Sequence, residues 1–317
     1  MTPNRLRYYL VILPIRFSLV SVSLVCFGLT TLHAIPLKVV SYNVENLFHP
    51  SHDSLKDDIE WTPDGEKRWS YTRYYRKEEN IARVLTNIGE WEGVDAVGLQ
   101  EVENAMVVKR LCYTLRRNVY DFVHYDSPDQ RGIDVAFVYK KARIDTISTK
   151  ALQVDLGKET TRDILYVCAQ VDKKDTIHFF VCHFPSQRGG KAESAWKRDA
   201  AKHVLEEAVD SVLSIQADAK IIVMGDMNDE GLRIKGLEDK KMSGNGTHKY
   251  EGRWTFLDHF YLSSSIDSLS SAQVYDAEWI METDEKYLGL KPKRTYNGYH
   301  YQNGYSDHLP IILRCLK

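Results

Sequence analysis

The sequence predicts a single α/β domain in which strands and helices form layers around one large core. The chain has 317 residues, of which 43% are hydrophobic and 27% charged, so disordered and fibrous classes are excluded. Apolar runs of strand length, rich in Val, Ile, Phe and Tyr, recur along it. Helical patterns interrupt these runs without a regular rhythm, which indicates a mixed α/β layered domain rather than a barrel of repeats.

The apolar runs and helical patterns give the expected elements. Nine runs are predicted to be strands, namely residues 38–42, 94–99, 121–125, 133–139, 165–171, 177–183, 220–224, 256–262 and 309–313. Apolar residues at helical spacing predict two helices, over 77–88 and 193–213. Residues 49–75 and 231–247 are predicted to be long loops, which in a compact domain are usually functional or disordered.

Residues 1–34 differ from the rest of the chain. Arg5 and Arg7 precede an uncharged run over 17–32, and Ala34 ends a small-residue cleavage site, which together are typical of a signal peptide. We therefore predict a signal peptide over 1–34, a catalytic domain over 35–317, and a periplasmic or secreted location. The alternative is an uncleaved membrane anchor, although the run is shorter than the ~20 apolar residues of a spanning helix.

Two cysteines lie in neighbouring strand runs. Cys168 and Cys182 could face each other, and export would make a disulfide chemically feasible. Sequence spacing cannot establish the geometry that a disulfide requires. We therefore favour two buried thiols over a disulfide.

The charge of the chain bears on its partners. The formal net charge is −2 and there is no dominant basic block. This argues against a protein that holds nucleic acid mainly through a cationic surface. It leaves open an enzyme that contacts only a few phosphates.

Polar residues cluster where the apolar runs end, which is where a layered sheet would carry an active site. Each cluster alone could be a cap, a turn or a surface ion pair. Together they supply carboxylate oxygens for Mg²⁺ or Mn²⁺, amides that orient groups, and imidazoles that protonate or bind a phosphate. The combination suits hydrolysis of a phosphate ester. The five segments are residues 41–46, 99–102, 181–186, 224–229 and 305–310.

In this order the five segments resemble the signature blocks of the endonuclease/exonuclease/phosphatase superfamily, which includes deoxyribonuclease I, abasic-site endonucleases and neutral sphingomyelinases. The Gly-Asp-Met-Asn block at 225–228 and the Ser-Asp-His block at 306–308 are the most specific. The resemblance covers residues 35–317. It implies a four-layer α/β/β/α sandwich of two packed mixed β-sheets, with the active site at one end.

The resemblance also implies a divalent cation, Mg²⁺ or Mn²⁺ with Ca²⁺ as a further option, and residues to bind it. Glu101 matches the principal metal-binding glutamate of the family. Glu45 and Asp307 resemble further metal-site acids. Asn43 matches an amide that orients the metal carboxylate or the phosphate of the substrate.

The catalytic roles carry over in the same way. Asp226 resembles the aspartate that activates the attacking water, and Asn228 resembles the residue that holds the phosphate or the nucleophile. His308 resembles the histidine on the scissile phosphate, with Asp258 orienting it. An acid beside an imidazole favours the charged ring, which could stabilise the transition state. His183 matches a second histidine found in the deoxyribonuclease and sphingomyelinase branches.

Several basic residues are candidates for substrate contacts. Arg131 precedes a strand and could bind a phosphate through a bidentate contact, or could be a solvent-exposed turn residue. Arg188 follows His183 and is a similar candidate. The aromatic and basic stretch 68–76 either stacks on a base or packs an extra loop onto the domain. Residues 294–296 have a similar status.

We interpret the sequence as an exported metal-dependent phosphodiesterase, most simply a nuclease. A water activated by Asp226 would attack phosphorus in line while His183 and His308 neutralise the developing charge. The alternatives are a sphingomyelinase-like phospholipid phosphodiesterase and a phosphomonoesterase. A catalytically inactive binding module is disfavoured, since every expected position is occupied. Nothing indicates an obligate protein partner.

Overall fold

The computed structural model describes residues 36–268 and 270–315. The predicted signal peptide or anchor, residues 1–34, lies outside the described residues. Within the described part of the chain, no helix is both long and apolar enough to cross a membrane.

The described residues form helices and strands in an irregular order, as expected. The helices are α1 (Tyr71–Gly89), α2 (Ala105–Arg116), α3 (Ala195–Ile215) and α4 (Ser264–Asp267), with 3₁₀ turns at Ile59–Trp61 and Glu278–Ile280. The strands are β1 (Leu37–Leu47), β2 (Ala96–Val102), β3 (Tyr120–His124), β4 (Asp134–Lys140), β5 (Ile144–Leu152), β6 (Ile164–Val171), β7 (Asp175–His183), β8 (Lys220–Asp226), β9 (Glu238–Asp239), β10 (Met242–Ser243), β11 (His248–Tyr250), β12 (Arg253–Thr255), β13 (Asp258–Leu262), β14 (Ser270–Val274), β15 (Met281–Thr283), β16 (Leu290–Pro292), β17 (Tyr296–Asn297), β18 (His300–Tyr301) and β19 (Ile311–Cys315).

Two mixed β-sheets pack face to face at the centre of the domain. One has seven strands in the order β10-β14-β19-β1-β2-β4-β3, and the other has six in the order β5-β6-β7-β8-β13-β9. The rings of Phe137 and Phe179 meet between them with centroids 4.8 Å apart. At Gly98 a Cβ atom would lie only 2.9 Å from the Met224 sulfur, so this position needs glycine for the sheets to approach.

Helices cover the two outer faces of the sandwich. Helix α1 packs on α2 and β1, and α2 also packs on β3. On the other side, Leu205 and Val209 of α3 join a separate apolar cluster with Phe180 and Val223 of the second sheet. The order of layers is therefore helix, sheet, sheet, helix, which confirms the predicted α/β/β/α sandwich.

The strand directions bring the polar segments together. Strands β1 and β2 are parallel, and so are β7 and β8, so each pair ends at one edge of its sheet. Strand β13 runs antiparallel to β8 and begins where β8 ends. The strand-end residues of both sheets can therefore meet at one end of the sandwich.

Both predicted long loops need correction, and residues 231–247 contain the two-residue strands β9 and β10. Residues 49–75 do not form a loop throughout, because a 3₁₀ turn covers Ile59–Trp61 and helix α1 begins at Tyr71 rather than at residue 77. The Ser70 side chain caps this helix by accepting a hydrogen bond from the backbone N–H of Arg73.

The aromatic and basic stretch 68–76 is mainly a packing element. Trp69 is fully buried and donates from its ring nitrogen to the Phe48 carbonyl at 2.8 Å. Arg73 donates to the Lys67 carbonyl at 2.7 Å and lies over the Tyr301 ring. Of the two interpretations, the extra packed segment is the one that the structure supports.

The described cysteines are free thiols. Cys112, Cys168, Cys182 and Cys315 are all buried and unbridged. In the β6–β7 ladder Cys168 lies opposite His178, four residues from Cys182, so the two thiols are out of register. The preference for buried thiols over a disulfide is confirmed.

Candidate active site

Three predicted catalytic residues form a row across the second sheet. His183 ends β7, Asp226 ends β8 and Asp258 begins β13, and Asp226 is the direct register partner of both neighbours. Residues opposite one another on adjacent strands point to the same face. All three are buried. The sheet register therefore delivers an imidazole and two carboxylates to one surface.

The first sheet supplies an amide and a carboxylate facing this row. The Asn43 side-chain N–H group donates to Glu101 at 3.3 Å and to Asp226 at 3.1 Å. The second Glu101 oxygen accepts from the backbone N–H of Asn46 at 3.0 Å. Asn43 thus links the carboxylates of the two sheets directly.

Irregular backbone accompanies these positions. Glu45, Asn46, Glu101 and Asn228 all have positive φ, between 50° and 63°. The β1–β2 and β2–β4 ladders shift register at the same places. Such conformations are uncommon for residues other than glycine and cluster at functional sites, because they aim side chains that a regular strand could not present.

His308 reaches the row from the loop before β19. Its Nδ1 lies 2.8 Å from an Asp258 oxygen, and its Nε2 lies 3.8 Å from Asp226. Its backbone N–H donates to the Ser306 hydroxyl, which donates to the Asn43 carbonyl at 2.7 Å. The predicted pairing of Asp258 with His308 is present. His308 is held by Asp258 at its ring Nδ1 and by Ser306 at its backbone N–H.

The carboxylates around His308 set its charge. Burial alone would lower the pKa of His308, but Asp258, Asp226 and Asp307 together raise it well above its usual value. Burial raises the pKa of Asp226 to about 7, with Asp258 adding to the effect and His308 opposing it. The site therefore holds a cationic ring next to a carboxyl group that accepts a proton near neutral pH.

His183 has the opposite electrostatic environment. Burial, followed by the charges of Arg162 and Arg131, lowers its pKa well below the usual value, so the ring is neutral. Its Nε2 lies 3.8 Å from Glu101 and 3.7 Å from Asp226, and its Nδ1 has no hydrogen-bond partner. The Nδ1 atom is buried, so Nε2 is the nitrogen that faces the acids of the site, and a neutral imidazole can donate a hydrogen bond from it without adding charge.

Asn228 shapes the turn after β8. Its backbone N–H donates to an Asp226 oxygen at 2.9 Å, and its side-chain N–H donates to the Phe184 carbonyl at 3.0 Å. Its own carbonyl accepts from Gln187 at 2.7 Å. Asn228 is thus next to the site and fixes the Asp226 carboxylate, while its side-chain oxygen has room for another donor.

Glu45 and Asp307 lie together, but an arginine contacts both. Arg294 approaches Glu45 at 3.3 Å and Asp307 at 2.9 Å. Glu45 also accepts from the Thr295 backbone N–H at 2.6 Å and lies 3.9 Å from the Lys77 amine. Arg294 and His308 hold the pKa of Asp307 below its usual value despite burial.

The donors fit Mg²⁺ or Mn²⁺ centred on Glu101. Its carboxylate is partly exposed and is oriented by Asn43 and Asn46, and Mg²⁺ needs only one or two protein carboxylates because it keeps several waters. Glu45, Glu101 and Asp307 do not form a compact three-ligand group within the described residues. Asp307 is the better second acid, since Glu45 is fully engaged.

The two predicted substrate arginines differ in their placement. Arg131 is exposed, lies 3.7 Å from Asp129 and is near enough to depress the pKa of His183. It lines a polar groove of about 300 Å³ with Lys158. Arg188 is exposed on the segment after β7, and its backbone N–H donates to the Ser186 hydroxyl. The structure brings Arg131 to the edge of the site and leaves Arg188 outside the contacts described above.

Sequence reasoning did not identify three residues that support the site. His248 pairs with His308 across an isolated bridge, and the two rings are 4.9 Å apart. Burial and the His308 charge lower the pKa of His248 to about 4. Arg162 holds the His183 and Phe184 carbonyls, and Lys77 lies beneath Glu45. None of the three lies in a polar segment that follows an apolar run, and such segments were the sequence signal that predicted the site residues.

A buried acid beside the site predicts an unusual pH dependence of stability. Burial, with Asp58 and Asp134 nearby, raises the pKa of Glu103 to about 8. The unfolded carboxyl titrates near ~4.3, so between these values the folded state binds more protons and the free energy of unfolding falls as pH rises. Glu103→Gln keeps an acceptor for the His49 N–H and removes this loss.

We therefore expect Glu103→Gln to raise the free energy of unfolding by about 1–3 kcal/mol at pH 8 and to change it little at pH 4. Urea denaturation in chelator at the two pH values measures the difference. Equal stability of variant and wild type at pH 8 would contradict the assignment.

Comparisons with known proteins give the same architecture. The model of the Endonuclease/Exonuclease/phosphatase family matches residues 38–317. A search of curated protein sequences found no match.

Similar solved structures include TDP2 from Caenorhabditis elegans, with 14% identity, coverage of 89% of this chain and 75% of that chain, and a TM-score of 0.60. An endonuclease/exonuclease/phosphatase family protein from Bacteroides thetaiotaomicron has 16% identity, coverages of 89% and 98%, and a TM-score of 0.57. A mannosyl-6-phosphatase from the same species has 16% identity, coverages of 89% and 100%, and a TM-score of 0.55. At these identities the likeness shows the fold.

Proposed function

The chain belongs to the endonuclease/exonuclease/phosphatase family of hydrolases that act on phosphate esters, and from that premise we propose that it is a divalent-metal-dependent phosphodiesterase that cleaves nucleic acid. The observation that carries the chemistry is the row of His183, Asp226 and Asp258 with His308 above it. Asp226 supplies a base, His308 a cation and His183 a neutral donor. The Nε2 atoms of both histidines lie within 4 Å of the Asp226 carboxylate.

The residues divide the reaction between them. Asp226 is positioned to take a proton from water, since it is buried, fixed by Asn43 and Asn228, and titrates near neutrality. The His308 ring, kept protonated by Asp258, stabilises negative charge that develops on the phosphate. Mg²⁺ or Mn²⁺ held by Glu101 would polarise a phosphoryl oxygen. His183 would donate a hydrogen bond to a neighbouring oxygen.

A groove at Arg131, which Asp129 and Glu159 also line, supports a polymeric substrate. Arg131 and Lys158 line this polar groove, and an arginine can bind a phosphate in bidentate fashion. Nucleases gain affinity from phosphates that flank the cut. A flanking phosphate bound by Arg131 would add affinity for a polymeric substrate.

A small phosphate ester is the second candidate, and the charge of the domain favours it. The chain carries −2 overall, and the folded domain is more negative still, because residues 1–34 contain three arginines and no acid. A domain of this charge repels a long polyanion outside the immediate site. A phosphomonoester or a lipid head group would need only the central residues.

One assay separates these candidates. Plasmid DNA, RNA, sphingomyelin and a phosphomonoester are incubated side by side with the purified protein in Mg²⁺, with EDTA and with His308→Ala as controls. We expect nucleic acid to be cut, EDTA to abolish cutting, and His308→Ala to lower the rate by about 10²- to 10⁴-fold. Hydrolysis of lipid or monoester alone would overturn the nuclease proposal, and activity in EDTA would overturn the metal mechanism.

A further inference from the structure

A second group of ionisable side chains lies outside the catalytic row, where residues 125–133 connect β3 to β4, with two members buried and Asp126 exposed. His124 ends β3, Asp134 begins β4 and Asp126 lies between them. One potential ligand atom of each residue lies within 4.8 Å of the other two. His124 Nε2 is 3.3 Å from Asp134 Oδ2, and its Nδ1 is 3.9 Å from Asp126 Oδ1.

The two atoms at 3.3 Å lack hydrogen bonds. The His124 and Asp134 side chains are only 2% and 1% exposed, yet neither His124 Nε2 nor Asp134 Oδ2 has a hydrogen-bond partner. Buried polar atoms of this kind are rare and indicate an absent ion or water. Two ligands about 2.1 Å from one tetrahedral ion are about 3.4 Å apart, close to the observed separation.

A further carboxylate faces the same place. Asp163, just before β6, lines a small cavity of about 10 Å³ together with Asp134 and Ser127. Its Oδ1 atom is buried without a hydrogen-bond partner. The cavity is about the size of one water molecule. Asp134 and Asp163, each with one unpartnered carboxylate oxygen, therefore line the same small cavity.

The negative charge in this group lacks a matching cation. Among the described residues, no lysine or arginine forms an ion pair with Asp126, Asp134 or Asp163, and Asp134 is otherwise bound only by the Ser127 N–H and hydroxyl. One protonated imidazole can balance one carboxylate. Asp163 accepts a hydrogen bond from the Val154 backbone N–H but has no charged partner in the ranges that the structure describes, and a bound divalent cation would offset the cost of burying this second carboxylate.

We propose that His124, Asp134 and Asp126 form a second divalent cation site, separate from Glu101, with Asp163 as an adjoining acid. One imidazole among carboxylates suits Mn²⁺ or Zn²⁺ better than Ca²⁺. The cation would fasten the connection 125–133 at both ends.

The cation would also stabilise the position of His183 in the catalytic row, through Asp129 and Arg162. The connection 125–133 carries Asp129, which accepts a hydrogen bond from Arg162 at 3.2 Å. Arg162 in turn donates to the His183 and Phe184 carbonyls at 3.3 and 2.8 Å. Ordering this connection would therefore hold the end of β7, where His183 lies. The proposal does not depend on the identity of the substrate.

Binding stoichiometry tests the proposal without any activity assay. The full chain is freed of metal with chelator and then titrated with Mn²⁺, with free Mn²⁺ measured by electron paramagnetic resonance, and in parallel with Zn²⁺ by equilibrium dialysis. We expect two ions per wild-type chain. Glu101→Gln and Asp134→Asn should each bind one, and the double variant none. The Asn side chain can still accept from Ser127, so the fold is retained.

Thermal unfolding provides a second test that does not require every variant to fold as well as the wild type. In the Glu101→Gln background, saturating Mn²⁺ should raise the Tm by about 5 °C, and adding His124→Gln should remove the rise. One ion per wild-type chain with none in Glu101→Gln would overturn the proposal. Unchanged stoichiometry in both Asp134→Asn and His124→Gln, or a Tm rise that persists in the latter, would do the same.

Discussion

Replacing Asp226 by asparagine is expected to lower kcat by about 10²- to 10⁴-fold while changing KM little. The amide has the same size and its oxygen can still accept the Asn228 N–H, so the turn after β8 should persist. It cannot take a proton from water. Its N–H group would also face the donor of Asn43, where a carboxylate oxygen now accepts at 3.1 Å.

Asp229→Asn is the matched control for this experiment. Asp229 lies three residues farther on, is partly exposed, and binds the Gly231 N–H and Lys191 rather than the catalytic row. Its variant should keep kcat within about twofold. Steady-state kinetics from pH 5 to 9, on the substrate that the side-by-side assay selects, gives kcat for both variants. A variant at Asp226 that retains wild-type turnover would remove this residue from the mechanism.

The pH dependence of the same kinetics supplies a second test of the role of Asp226. Because burial raises the pKa of Asp226 to about 7, its basic form increases as pH rises through neutrality. The wild-type kcat/KM should therefore rise as pH increases through neutrality. The residual kcat/KM of Asp226→Asn should not show this rise. A mutation that only disturbed packing would lower the whole profile without changing its shape.

The core strands were predictable because they are buried on both faces. Strand β8 is an unbroken run of buried residues up to Asp226, so its apolar run and its polar end were both visible. Strand β5 was missed because it is an edge strand whose residues are mostly exposed. Its alternation of Ile, Thr and Lys carries little apolar signal, and its pairing with β6 is a tertiary property.

Two helical features had local signals that the apolar pattern did not use. Helix α2 was not predicted, although Asn104 caps it by accepting from the Met106 and Val107 N–H groups. Ser70 similarly marks the start of α1, seven residues before Lys77, where the predicted helix begins. Capping residues therefore mark the helix starts that apolar periodicity placed too late or overlooked.

The active site was predictable where its residues share strand ends, and not where they reach it from elsewhere. His183, Asp226 and Asp258 follow from the sheet register, which brings strand ends together. His248 enters from a short hairpin that directly follows the predicted loop 231–247, and its contact with His308 is a single bridge. Such a contact is set by the path of one loop, which sequence periodicity does not encode.

Lys77 is the clearest case of a residue whose role depends on tertiary structure. In the sequence it is the first residue of a predicted amphipathic helix, where a lysine would be expected at the surface. In the fold it is fully buried, and burial lowers its pKa to about 8. Its amine donates to the Tyr305 carbonyl at 2.6 Å and to the Thr295 hydroxyl. It lies 3.9 Å from Glu45.

Lys77→Met should therefore lower the free energy of unfolding by about 3–5 kcal/mol, the cost of removing one partner of a buried ion pair. Methionine nearly fills the space, so the loss would be electrostatic rather than a cavity effect. Glu45 would keep Arg294 and the Thr295 N–H but lose its buried amine, and the Tyr305 carbonyl would lose its donor. Urea denaturation in chelator measures the change.

Two further variants separate this explanation from a general helix effect. Arg76→Met, on the exposed side of α1, should change stability by no more than about 0.5 kcal/mol. Adding Glu45→Gln to Lys77→Met removes the carboxylate charge that the lysine helped to balance, so the double variant should recover part of the loss. Strictly additive losses would show that the pair is not coupled. Because Lys77 holds the segment leading to Asp307 and His308, a kcat that is lower in the double variant than in Glu45→Gln alone would assign Lys77 a positioning role in the active site.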